Sequence, residues 1–244
     1  MIAPLSDAQQ EFLTVMGLAD EFTVEMALFI TGNPEAGQIL FLMTRQNAFI
    51  TPLSDGISFR FHHMMKECTQ RAFAMLSHEK QTDFRNRYGQ WYESRGQFLQ
   101  ALAAYNKALN YDAALAVIQK DAGILLASLS PEKVLAFLDV CPTEILKNRP
   151  LALLVLMRRM FTWHQIPKML ELKQLLTDTI AEDNTLSEDE RKNLSGECDL
   201  IMSFLMYNDI TGMSVLHRQA SSKMTRPAIS IRKTGSWTFG SPSV

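Results

Sequence analysis

Residues 57–108 constrain this chain more than any other stretch. A short strand-like run, Ile57-Ser58-Phe59-Arg60-Phe61, leads into His62-His63-Met64-Met65 and a helical pattern. Behind it come Gly89, Tyr92, Gly96, Ala101, Tyr105 and Ala108 at helical spacing. The first part has the form of a wing entering a helix. The second is the packing skeleton of a helix-turn-helix repeat of roughly 34 residues. Small Gly89, Ala101 and Ala108 suit close helix crossings, Gly96 suits the turn between helices, and Tyr92 and Tyr105 suit the space between them. Two positions depart from the repeat: Arg85 stands at the site of its tryptophan and Ala113 at that of its proline.

The segment before the wing supplies three helices. Ser6 or Asp7 caps a first helix carrying Phe12, Leu13, Val15, Met16 and Leu18. A second starts near Thr23, carries Met26, Ala27, Phe29 and Ile30, and is broken by Gly32-Asn33-Pro34. A third runs from Glu35 to Gln46 with Ile39, Leu40, Leu42 and Met43. Ala48-Phe49-Ile50-Thr51 and Ile57 to Phe61 read as two strands around a turn at Pro52 to Gly56. Three helices and a hairpin make a winged helix.

From about residue 62 onward the apolar spacing is helical. The periodic segments are 62–76, 79–94, 98–109, 111–120, 131–140, 150–163, 166–182, 188–208 and 211–222, with breaks at Gly96, Ser130-Pro131, Pro142, Arg149-Pro150 and Pro167. These lengths suit paired antiparallel helices stacked as a solenoid. The fold class expected is mainly α: a winged-helix domain with a small β-hairpin over 1–61, a TPR-like α-helical superhelix over 62–223, and an irregular, truncated tail over 224–244. After Asp209 the tail has no acidic residue and keeps Arg218, Lys223, Arg226, Arg232 and Lys233.

Composition limits the function. A chain of 244 residues with net charge −2 lacks the basic balance of a protein that binds nucleic acid over its whole surface. Cys68, Cys141 and Cys198 are scattered and odd in number, as expected for buried thiols in a reducing compartment. The first residues lack the charged and apolar regions of a secretion signal. The apolar-rich run Leu151 to Met157 is far short of the ~20 residues that span a bilayer. A cytoplasmic protein without membrane partners is expected.

The order of the pieces resembles the central part of the MalT-type regulators, ATP-dependent activators that end in a LuxR-type DNA-binding domain. The residues that carry the likeness are Leu5-Ser6, Glu11-Phe12-Leu13, Asn47-Ala48-Phe49-Ile50, Phe59-Arg60-Phe61-His62-His63 and Tyr88 with Trp91-Tyr92 and Gly96. Pro142 with Ile145-Leu146 and Arg149-Pro150, and Trp237-Thr238-Phe239-Gly240-Ser241-Pro242-Ser243, complete it. The resemblance implies a P-loop ATPase module before the winged helix, a helical sensor superhelix after it and a DNA reader at the end. This sequence contains neither the G-x-x-x-x-G-K-[ST] loop nor the reader. A fragment of a STAND-class ATPase is therefore expected, holding no cofactor itself, with ATP or ADP bound by the complete parent.

His62 is the candidate site residue. In the wider class of such ATPase switches a histidine at the junction of wing and helix contacts the nucleotide phosphate, and that pattern falls on His62. A histidine there donates a hydrogen bond to an anion and gains charge near neutral pH; its structural alternative is a part-buried cap of the helix at 62–76. A metal site built from His62, His63, Cys68 and His78 fails on spacing, because adjacent side chains on a helix point about 100° apart. DNA reading by the third helix has only Gln38, Arg45 and Gln46 to offer among Ile39, Leu40, Phe41, Leu42 and Met43, the composition of a packing helix. Ser6, Ser54 and Ser58 lack the context of a nucleophile, so no enzyme is expected. The leading reading is a non-enzymatic regulator fragment that contacts protein, or itself, through helical repeats and does not bind DNA directly. The alternative is a free-standing helical-repeat adaptor.

Overall fold

A computed structural model describes residues 5–45 and 49–231. The chain divides into two compact units, Met1–Asn110 and Tyr111–Val244.

In the first unit, α1 (Asp7–Met16) starts at Ser6 in a capping box: Gln9 N–H donates to Ser6 Oγ (3.3 Å), and Ser6 N–H donates to Gln9 Oε1 (2.9 Å). Its spacing buries Phe12, Leu13, Val15 and Met16. Thr23 Oγ1 caps α2 (Val24–Thr31), which ends at Gly32. α3 spans Ala36–Arg45. The sheet has three strands rather than the two of a hairpin: β1 (Phe22–Thr23), β2 (Ile50–Pro52) and β3 (Ser58–Phe61), antiparallel in the order β1-β3-β2. Phe22 opposes Phe59, and Ile50 opposes Phe61. A two-residue strand has no periodicity to read. It forms because Phe22 is buried against Phe12, Phe59 and Phe61.

α4 (His63–Ala74), α5 (His78–Ser94) and α6 (Phe98–Lys107) follow. The winged-helix core continues into them through Phe73, Phe84 and Tyr88, and Tyr88 Oη donates to Val15 O (3.0 Å). α5 and α6 pair tightly because Gly89 leaves room for the Tyr105 ring: a Cβ at 89 would lie 2.4 Å from Tyr105 Cε1. Gly96, in the turn between them, has φ 71°. Arg85 donates to Lys107 O (3.0 Å) and lies over the Phe73 ring.

The second unit contains α7 (Tyr111–Lys120), a 3-10 turn (Leu125–Ser128), α8 (Pro131–Val140), α9 (Thr143–Lys147) and α10 (Pro150–Thr162). α11 (Ile166–Glu182), α12 (Glu188–Met202), a second 3-10 turn (Ser203–Met206) and α13 (Ile210–Lys223) complete it. α10 is buried almost all round, from Ala152 through Met157 and again at Met160 and Phe161, so it is the central helix of this unit. The expected helix over 188–208 stops at Met202 and tightens into the 3-10 turn, where Ser203 Oγ donates back to Leu200 O (2.7 Å).

The whole is mainly α with a winged helix at its N-terminal end. The expected irregular tail is only partly within view. Residues 224–231 have no regular structure, and 232–244, including Trp237 to Val244, lie outside the described residues, as do Gln46, Asn47 and Ala48. Residues 225–231 are nevertheless fastened to α12. Asn193 Oδ1 accepts from Thr225 N–H (2.8 Å) and Arg226 N–H (3.3 Å). Glu197, fully buried, accepts from Arg226 Nη1 (2.6 Å), Ile229 N–H (3.0 Å), Ser230 N–H (2.8 Å) and Ser230 Oγ (2.6 Å).

Candidate functional site

The junction of wing and helix places His62. Phe61, buried, anchors the end of β3, and His62 then turns the chain into α4 with φ −58° and ψ 142°. His62 N–H donates to Phe49 O (2.9 Å), so the backbone of the junction stays tied to the neighbouring arm of the wing. The ring is exposed and makes no cap bond to the helix, which sets aside its reading as a part-buried cap. Its Nε2 lies 3.2 Å from Thr51 Oγ1 on β2. When Nε2 accepts from the Thr51 hydroxyl, Nδ1–H is left to donate; when the ring is protonated, both nitrogens donate. The arrangement is a wing-held histidine able to offer a hydrogen bond to an anion.

Its surroundings are charged but paired. Arg60, one residue before it, pairs with Glu21, and Lys66, one turn along α4, pairs with Asp20. His63 turns away to Glu67 (3.7 Å). Among the described residues no group of three or more His, Cys, Asp or Glu side chains is arranged to hold a metal ion. Cys68 is exposed on α4, against the expectation that all three thiols are buried, because it falls on the outward face of that helix. Cys141 and Cys198 are buried, and burial pushes each thiol up to about 11.

α3 also differs from its reading as a packing helix. Ala36, Ile39, Leu40 and Met43 face the core, but Phe41 is 60% exposed and Leu42 47%. Gln38 and Arg45 share the outward side, with the Arg45 guanidinium 5.8 Å from the Phe41 ring centroid. Five consecutive apolar residues cannot all face inward on one helix. The outward face offers a ring and a leucine, which suit contact with protein better than hydrogen bonding to base edges. On α2, Phe29 is likewise half exposed and meets the Trp91 ring at a tilt of 48° (centroids 5.6 Å apart).

In the second unit an open groove of about 430 Å³ runs along one side of α13, lined by Ile210, Met213, Ser214, His217, Arg218 and Ser221. His217 Nε2 is buried there without a hydrogen-bond partner among the described residues. The clamp of Asn193 and Glu197 on residues 225–231 was not legible in the sequence. A Glu within an acidic helix carries no local sign that it is buried.

Residues 1–82 match the family model of the MalT winged helix domain. That span covers the three-helix segment, the sheet, His62, α4 and the first turn of α5. No curated protein and no solved structure matches the chain. Among the described residues no helix is long and apolar enough to cross a membrane.

Proposed function

We propose that this chain is the coupling and scaffold section of an ATP-dependent transcription regulator of the MalT type. In this reading the P-loop ATPase and the LuxR-type DNA reader belong to the complete regulator, which is cytoplasmic. Residues 1–61 form its winged helix, residues 62–223 are a TPR-like region serving inducer sensing, and the tail follows. The chain does no catalysis and binds no nucleotide by itself. The observation that carries the proposal is the match of residues 1–82 to the MalT winged helix domain. The exposed His62 ring, oriented by Thr51, supports a role as the contact to the nucleotide phosphate in the complete regulator.

Sequencing the genomic DNA on both sides tests the assignment. A P-loop module upstream and a LuxR-type reader downstream are expected, and unrelated genes on both sides would remove it. In a regulator carrying both modules, His62→Ala should speed ADP release by about tenfold, the loss of one hydrogen bond to a charged group. Calorimetry of this chain alone should detect no ATP or ADP binding; micromolar affinity with phosphate release would overturn the proposal.

A second reading, a helical-repeat adaptor for a protein partner or a second copy, draws on the exposed Phe41 and Leu42 of α3. If it holds, Phe41→Ser should abolish partner capture or self-association while leaving the fold intact.

A further inference from the structure

Two arginines stand side by side near the C-terminal end of α10. Arg158 Nη2 donates to Ala122 O (2.7 Å), and Arg159 Nη2 donates to Gly123 O (3.2 Å). Both carbonyls lie just past α7, in a loop held against α10 so closely that a Cβ at Gly123 would meet Val155 Cγ1 at 2.3 Å. Arg159 also lies over the Trp163 ring, 5.3 Å from its centroid. The two side chains leave the helix about 100° apart, but both heads are drawn to successive carbonyls of one loop, close enough for Arg159 to act on Arg158 electrostatically.

What they lack is a counter-charge. Among the described residues neither has a carboxylate partner. Arg149 and Arg226 of this unit do, on Asp112 (2.7 and 2.6 Å) and on Glu190 (2.8 Å) and Glu197 (2.6 Å). Arg191 does not, but it spends its donors on three carbonyls, of Ile180, Asp183 and Leu186, where Arg158 and Arg159 each meet one. The acid in the same loop, Asp121, is occupied elsewhere, accepting from Leu125 N–H (2.5 Å). Burial holds both guanidinium groups below their ordinary range, and Arg159 adds its repulsion to Arg158. The carbonyl end of a helix offers roughly half a negative charge, which leaves most of the two positive charges uncompensated.

They also keep donors in reserve. A guanidinium has five N–H groups, and each of these two spends one on the loop. The one buried side-chain nitrogen or oxygen without a partner among the described residues is His217 Nε2, so Nε and Nη1 of Arg158 and Arg159, which make no bond there, are not closed off from solvent. A pair of oriented, accessible forks carrying two positive charges matches a dianion with three free oxygens.

We infer that Arg158 and Arg159, set by the 122–123 carbonyls, form a binding site for the phosphate group of a small phosphomonoester. The competing account is that both arginines only cap the end of α7. The site is independent of the winged-helix proposal, and its test involves no nucleotide.

Inorganic phosphate is the probe, added to the full chain at pH 7.5 with chloride replaced at constant ionic strength. Expected are a saturable rise in melting temperature over the millimolar range and a change in tryptophan emission that is lost in Trp163→Phe. Arg159→Gln should weaken saturation at least tenfold, and Arg158→Lys, which keeps the charge but loses the fork, should fall between. Arg158→Lys and Arg159→Gln also serve where Arg158→Gln fails to fold. A response equal to that of chloride, or one unchanged in Arg159→Gln, would establish the capping account and overturn the site. Equal saturation by acetate would overturn the assignment to phosphate.

Discussion

The pairs α5–α6 and α10–α11 share a turn and differ in almost everything they pack. In the first, Gln97 N–H donates to Tyr92 O (2.9 Å) across Gly96, which has φ 71°. In the second, Gln165 N–H donates to Met160 O (2.8 Å) across His164, which has φ 59°. The flanking residues agree as well: Arg95 and Trp163 have φ −97° and −95°, and Gln97 and Gln165 have ψ 63° and 56°. Both are Schellman closures with a left-handed residue after the helix. The same closure recurs at Leu109, where Asn110 N–H donates to Tyr105 O (2.9 Å), and at Ala122, where Gly123 N–H donates to Ile118 O (3.0 Å). Only one of the four left-handed positions is the residue that takes this conformation without cost. The turn is therefore imposed by how the helices pack, and glycine is a convenience at 96.

The packing around the shared turn is opposite in style. Seven residues before the turn stands Gly89 in one pair and buried Met157 in the other; five residues after it stand Ala101 and Met169, both fully buried. One pair closes by fitting the Tyr105 ring against missing side chains, the other by filling with methionine and leucine.

The largest test of this contrast is at the crossing. Gly89→Leu should cost about 3 kcal/mol, because overpacking drives Tyr105 out of place. Met157→Leu, at matched volume, should cost under ~1.5 kcal/mol. Urea unfolding measures both, and equal costs would mean that the crossings do not differ. Next comes the turn itself: Gly96→Val should lower stability by about 1–2 kcal/mol, the cost of a β-branched residue in the left-handed region. His164→Gly should act in reverse and raise stability by about 0.5–1 kcal/mol, since the exposed ring gives up little on removal. A loss at His164→Gly would show that this histidine has a task beyond the turn.

The smallest effect is alkaline. Cys141 and Cys198 titrate near 11 when folded, against an ordinary value near 9. Below pH 9 both states hold the proton and the thiols contribute nothing to the pH dependence. From pH 9 toward 11 the unfolded chain releases protons that the folded chain keeps, so stability falls as pH rises. In the first unit the corresponding groups are Tyr88, Tyr92 and Tyr105, all raised chiefly by burial, and its loss begins later, above pH 10. Unfolding of Cys141→Ala/Cys198→Ala should be flatter between pH 9 and 10 than that of the parent; an identical slope would remove the thiols from the account.

The sequence made some of this visible and hid the rest for physical reasons. Helix periods, proline breaks and the Ser6 cap are local, and they located most helices and the β2–β3 pair. The Gly89–Tyr105 fit was legible because a glycine and a tyrosine at helical spacing around Gly96 already suggested a close crossing filled by a ring. β1 and α9 were not, since two and five residues fall below any period. The outward turn of Phe41 and Leu42 depended on which side of α3 met the core. At the candidate site, the place of His62 was legible from the wing, but its Thr51 partner across the sheet was not. Arg158, Arg159, Asn193 and Glu197 all act on segments about 30 residues away or more, and composition says nothing of such pairings.

The burial of Glu197 also sets an order in time. Among the described residues, every hydrogen bond that its carboxylate accepts comes from residues 226–230, which follow it by 29–33 positions. During synthesis, α12 reaches its place with a bare carboxylate that cannot enter the interior alone, since breaking such a buried pair costs about 3–5 kcal/mol. At roughly 5–20 residues per second, the ribosome needs about 2–7 s to supply the partners. Through that interval the Glu197 carboxylate has none of the partners that its buried place requires. Its final closure waits for Ser230 to emerge.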